Sequence, residues 1–111
     1  MISRLLTAAL GASALLVAAQ PACAGDATAG KALVKRQCQT CHGLDGIAKM
    51  PIAPHLAGEN EIYIQTQLKA FRTGKRVHEM MSVIAKDLSD EEIADAAAWY
   101  ASIKISVEVP K

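Results

Sequence analysis

Cys38-Gln39-Thr40-Cys41-His42 places two thiols and an imidazole within one short segment. On a turn of helix, side chains three positions apart face the same way, so both thiols can add to the vinyl groups of one porphyrin. The histidine that follows comes to lie beneath the metal, where its imidazole binds iron from the proximal side. C-x-x-C-H is the attachment signature of a c-type haem. Two other uses of a C-x-x-C pair compete with this one. Structural zinc needs four protein ligands, normally including a second paired cluster, and the remaining histidines, His55 and His78, stand alone. A redox dithiol needs a preceding strand and a βαβ context, and no strand pattern leads into Cys38. The motif points to covalently bound haem c, and with no internal repeat the expectation is one haem per chain.

Three helical patterns are available to position this loop. The first follows Asp26, an N-cap residue, and runs through Gly30, Leu33 and Val34 into the motif. The second starts near Asn60, carries Ile64, Leu68 and Phe71 on one face, and stops at Gly74. The third opens on Ser89-Asp90-Glu91-Glu92, a capping box, and presents Ile93, Ala96, Ala97, Tyr100 and in part Ile103, with Trp99 alongside. Between the first two lies a long Gly- and Pro-rich loop over 43–58, and loops of that length in small domains usually wrap something. After the third helix, Ile105, Val107 and Val109 alternate with polar residues. They predict an extended tail, either a surface strap or a docking edge, with the strap favoured. The fold class is all-α.

Residues 1–24 have the layout of a cleaved secretory signal peptide: Arg4, an apolar stretch from Leu5 to Ala19, and Ala22-Cys23-Ala24 as a cleavage site. The apolar stretch is short for a membrane span, which takes about 20 residues, so no permanent membrane anchor is expected. Removal of the leader would take Cys23 with it and leave Cys38 and Cys41 as the only cysteines of a domain over 25–111. That domain is near the size at which a hydrophobic core alone is marginal. Its aromatic residues are Tyr63, Phe71, Trp99 and Tyr100; a large apolar cofactor at the centre would make good the deficit. Basic and acidic side chains balance once Arg4 is removed, which argues against nucleic acid as a partner.

From Asp26 to about Lys104 the chain resembles the class I c-type cytochromes, in particular single domains of periplasmic dihaem cytochromes. Four features carry the resemblance besides the motif. Gly30 lies eight residues before Cys38, where the family places a glycine at a helix crossing. Trp99 stands where an aromatic residue packs over that glycine. Pro54-His55-Leu56-Ala57-Gly58 matches the family's P-x-L-x-G segment, and Met81 precedes Leu88-Ser89-Asp90 at the family's ligand spacing. The resemblance implies a small fold of three main helices and loops wrapped around one haem. It also implies that the Pro54 carbonyl accepts the second imidazole N–H of His42, and that Leu56 packs on the haem face.

Met80 and Met81 are adjacent, so only one can reach the iron; the family spacing selects Met81, with Met80 as the fallback. A thioether favours ferrous iron and raises the reduction potential. His78 could supply an imidazole instead but is read as a solvated side chain, and His55 as a surface or propionate-side residue. Lys69, Arg72, Lys75, Arg76 and His78 concentrate positive charge before this loop, and Asp87, Asp90, Glu91, Glu92 and Asp95 concentrate negative charge after it. The acidic run suits the first turn of a helix; the basic run would suit an acidic redox partner.

The resulting expectation is a periplasmic one-electron carrier with His/Met-ligated haem and no substrate of its own. It would act as a monomer or in transient complexes, taking electrons from a dehydrogenase and passing them to an oxidase or another cytochrome. A haem subunit of a periplasmic dehydrogenase is the nearest alternative. An open-coordination haem enzyme or gas-binding protein would require both methionines to be core residues.

Overall fold

The computed structural model describes residues 24–111; the expected leader over 1–24, with Cys23, lies outside them but for Ala24. Five helices follow in order: α1 (Ala27–Gln37), α2 (Gln39–His42), α3 (Glu61–Thr73), α4 (Met81–Ala85) and α5 (Asp90–Ser102). Among the described residues there is no strand, and no helix is long and apolar enough to cross a membrane.

Local chemistry sets the helix ends. The Asp26 carboxylate accepts from Thr28 N–H and Ala29 N–H to open α1. Asn60 does the same for α3 through Tyr63 N–H. Ser89 and Glu92 form the reciprocal capping box of α5, a feature that contributes about 1 kcal/mol. Gly74 ends α3 in the left-handed conformation, φ 78°. The three principal helices are those expected from the sequence; α2 is the motif itself, and α4 is an additional short turn.

α1 packs chiefly on α5, and α3 packs on both α5 and α4. Leu33, Val34, Ile64, Leu88, Ile93, Ala96, Ala97 and Tyr100 form the buried cluster. The apolar face of α5 is wider than its spacing suggests, since Ala94 and Asp95 are buried too. They are covered because glycines bring α1 down onto the α5 main chain: a Cβ on Gly25 would overlap the Ala94 carbonyl, and one on Gly30 the Asp95 carbonyl. Asp95 is therefore more than one of a run of helix-start carboxylates. Its Oδ1 accepts from Asp26 N–H at 2.7 Å, so α5 contributes a cap to α1.

The tail divides. Ile103 and Ile105 lie against Gly58, as a strap would, although Ile105, like Val107 and Val109 beyond it, stays largely exposed.

Candidate functional site

Cys38 closes α1, its N–H donating to Val34 O, and opens α2. The Cys38 carbonyl accepts from Cys41 N–H and His42 N–H at 3.3 and 3.0 Å, which coils the motif into a single turn. Gly43 then leaves with φ 78°, a conformation that favours glycine. His42 is buried, and its Nδ1 lies 2.9 Å from the Pro54 carbonyl. A carbonyl only accepts, so Nδ1 carries the proton and the lone pair of the neutral ring sits on Nε2. Proline suits the position because its missing N–H needs no partner while its carbonyl stays available.

The 43–58 loop is held by its own main chain and by α5. Leu56 N–H and Ala57 N–H share the Gly46 carbonyl at 2.8 and 3.0 Å, and Lys49 N–H donates to Cys41 O at 2.8 Å. Trp99 Nε1 donates to Leu44 O at 2.8 Å, and the Tyr100 hydroxyl to Gly43 O at 3.0 Å.

Within this frame lies a cavity of about 360 Å³. Cys38, Cys41 and His42 line it from the motif, Pro54 and Leu56 from the loop, Ile64, Leu68 and Phe71 from α3, and Met80, Met81 and Ile84 from the α4 region. Met81 is half-buried and Met80 is 50% exposed. A wider, shallower depression behind the motif, lined by Lys31, Asp45, Lys49 and Trp99, opens to solvent and presents no soft ligand for iron.

The donor set fits haem c. An imidazole with a free Nε2, two thiols on one turn, a thioether and apolar side chains share one cavity. A redox dithiol fits poorly. Burial first, and then the neighbouring Cys41, push the Cys38 thiol up to about 11, whereas a reactive dithiol needs a lowered value. Among the described residues no three His, Cys, Asp or Glu side chains gather as metal ligands, so the four-ligand zinc alternative has no assembled site.

Residues 25–99 match the family model described as "Cytochrome C oxidase, cbb3-type, subunit III". The chain belongs to the cytochrome c family. Cytochrome c-554(548) of Halomonas halodenitrificans is 44% identical over 82 residues, covering 71% of this chain and 98% of that protein. Cytochrome c4 of Pseudomonas aeruginosa is 43% identical over 107 residues, 96% of this chain but 49% of that protein. The crystal structure of reduced recombinant cytochrome c4 from Pseudomonas stutzeri superposes with a TM-score of 0.65 at 38% identity, over 76% of this chain and 48% of that one. The chain thus spans about half the length of the cytochrome c4 relatives. Covalently attached haem c is the cofactor of this cytochrome domain, and its function is electron transfer rather than catalysis.

The structure brings Cys38, Cys41, His42, Pro54, Leu56, Met80 and Met81 to the one cavity. Several other side chains of the cytochrome domain make contacts beyond their reading in the sequence. His78 is exposed but engaged: its Nδ1 faces Met80 N–H and Met81 N–H at 3.2 and 3.3 Å, and its own N–H donates to Ser82 Oγ at 3.0 Å. The imidazole substitutes for the Ser or Asp cap that α4 lacks. His55 Nδ1 accepts from Ala48 N–H at 2.8 Å, bracing the loop while lining the cavity. In the basic run, Arg72 reaches Leu88 O and Asp90 Oδ1 at 2.9 and 2.6 Å. Arg76 lies over the Phe71 ring at 4.6 Å and donates to Gln67. Both arginines hold the fold together. The Arg72 contacts join segments 16 and 18 residues apart; those of His55, Arg76 and His78 span fewer than ten residues, but a side chain's choice among nearby loop partners is not set by spacing.

Proposed function

We propose that Cys38 and Cys41 bind the haem as thioethers, each S–H adding across one vinyl group. His42 Nε2 and Met81 Sδ would hold its iron, with Pro54 and Leu56 completing the pocket. The bound haem supplies one-electron chemistry by moving between ferric and ferrous iron. The chain's own residues do the rest. Pro54 keeps the His42 proton on Nδ1, the apolar side chains of α3 exclude water, and the 74–80 loop holds Met81 in place. Keeping the same two side-chain ligands in both oxidation states would demand little rearrangement of the protein.

The observation that carries this reading is the His42–Pro54 hydrogen bond at 2.9 Å. It orients one imidazole into an apolar cavity that also receives two thiols and a half-buried methionine. Half-burial of Met81 against the 50% exposure of Met80 supports Met81 as the ligand.

In this reading residues 1–24 direct export and are cleaved, and 25–111 works in the periplasm. It passes electrons between redox proteins, from a dehydrogenase to an oxidase or another cytochrome, through brief contacts of a monomer.

The test is the absorption spectrum of the exported protein, oxidised and reduced, with and without carbon monoxide. A low-spin spectrum with the weak long-wavelength methionine-to-iron band and no carbon monoxide shift is the expected result. A high-spin spectrum that shifts with carbon monoxide would replace the carrier with an open-iron protein, and absence of covalent haem would overturn the reading altogether.

A further inference from the structure

His42 is held at two points, and both lead to one residue of α5. On the main-chain side, Gly43 follows His42 directly, and its carbonyl takes the Tyr100 hydroxyl at 3.0 Å in a buried environment. On the ring side, Pro54 O receives Nδ1–H. Four residues beyond Pro54, Gly58 N–H donates to the Tyr100 carbonyl at 2.9 Å.

That carbonyl is available because α5 ends at Ser102: the last four carbonyls of a helix lack the usual intrahelical partner. Ile103 N–H reaches it only at 3.3 Å. Tyr100 itself is 2% exposed, and a buried hydroxyl without a partner would be costly, so the ring has one satisfactory placement. Burial also raises the phenol pKa well above its ordinary value, which keeps the group a donor across the physiological range.

We propose that Tyr100 is the positioning residue for the proximal imidazole: its hydroxyl fixes the chain leaving His42 while its carbonyl fixes the loop that presents Pro54. The proposal rests on the reading of His42 as the proximal ligand. A firmly placed Pro54 carbonyl makes the imidazole more basic and favours ferric iron. Loosening either tie weakens the His42–Pro54 bond and moves the potential upward.

The experiment uses the haem-loaded protein as Tyr100→Phe, with Ile93→Val as comparison. Ile93 is fully buried on the same helix, and its trimming lowers stability without removing a hydrogen bond. Three quantities are read: melting temperature, reduction potential, and the exchange rate of the His42 Nδ1 proton by NMR. Tyr100→Phe is expected to speed that exchange at least tenfold and raise the potential. Ile93→Val is expected to lower the melting temperature and leave both unchanged.

If Tyr100→Phe only loses stability, as Ile93→Val does, the proposal is overturned. Should Tyr100→Phe not fold, fluorotyrosine at position 100 in a Tyr63→Phe background makes the hydroxyl a stronger donor. The potential should then fall, and an unchanged potential overturns the proposal. A failure of the ligand reading looks different, because the parent protein itself would then show no low-spin spectrum.

Discussion

Gly30 rests on the main chain of Asp95. A Cβ at Gly30 would overlap the Asp95 carbonyl oxygen and come within 3.1 Å of Trp99 Cβ. The separation of α1 and α5 is therefore set by backbone against backbone, and the Asp95 side chain is left to cap Asp26. Gly30→Ala gains about 1 kcal/mol of helix propensity but forces the two helices apart. Overpacking of this kind costs about 1–3 kcal/mol, and a main-chain carbonyl gives way less readily than a side chain. The expected outcome is a net loss of stability, read as a lower urea midpoint with an unchanged slope.

The two methionines make separable predictions. Met81→Ala should abolish the weak methionine-to-iron absorption band and let carbon monoxide bind the reduced protein. Met80→Ala should leave the band in place. Met81→His should restore six-coordination at a lower potential, since an imidazole favours ferrous iron less than a thioether does. Loss of the band only in Met80→Ala would exchange the two assignments.

Acid should act partly through Asp90. Its carboxyl is held below the ordinary range by the hydrogen bond from Arg72 first, then by the charges of Arg72 and Lys69. A carboxyl depressed in the folded state adds stability that is fully present above its unfolded pKa of about 3.9. That stability is lost as the pH falls through the lower folded value. Asp45, held down by Ile47 N–H and by Lys49, adds a contribution of the same sign. Both carboxyls are solvent-exposed, so the effect is small. Thermal melts should show the parent slightly more stable than Asp90→Asn at neutral pH, with the gap closing as the pH falls below about 4.

Long-range attraction to a partner should depend on Lys75 and Arg76 more than on Arg72. Arg72 is paired with the Asp90 carboxylate, whereas Lys75 and Arg76 are exposed and Arg76 meets only the uncharged Gln67 and Phe71. Lys75→Glu should slow electron transfer with an acidic redox partner several-fold at about 0.01 M salt, and the difference should vanish near 0.5 M, as screening predicts. A salt-independent rate in both proteins would remove the steering role.

The sequence made the helices and the attachment turn legible because their signals are local. Asp26, Asn60, Ser89 and Gly74 each act within a few residues of themselves. The resemblance supplied Gly30, Pro54 and Met81, whose geometry could not be derived from spacing alone. What stayed hidden has a common cause. Asp95 caps a helix from which it is separated by most of the domain, Arg72 joins α3 to the start of α5, and Tyr100 touches a turn met long before it in the chain. Side chains of this kind look like ordinary surface charge or core until the segments meet. His78 is exposed, as its surface reading has it, but its capping contact stayed hidden: imidazole is an uncommon cap, and a helix as short as α4 has too little periodicity to announce itself.

The pairing of α1 with α5 also has a consequence in time. These helices come from the two ends of the described domain, so their contact closes a single large ring of chain that holds every residue lining the cavity. The last helix is also the last to be synthesised. Until it arrives, Gly43, Leu44 and Gly58 have no α5 partners, and the Cys-x-x-Cys-His turn is present without a pocket around it. A chain shortened by the final turns of α5 would thus retain both thiols and the imidazole, yet lack the α5 contacts that hold Gly43, Leu44 and Gly58 in place.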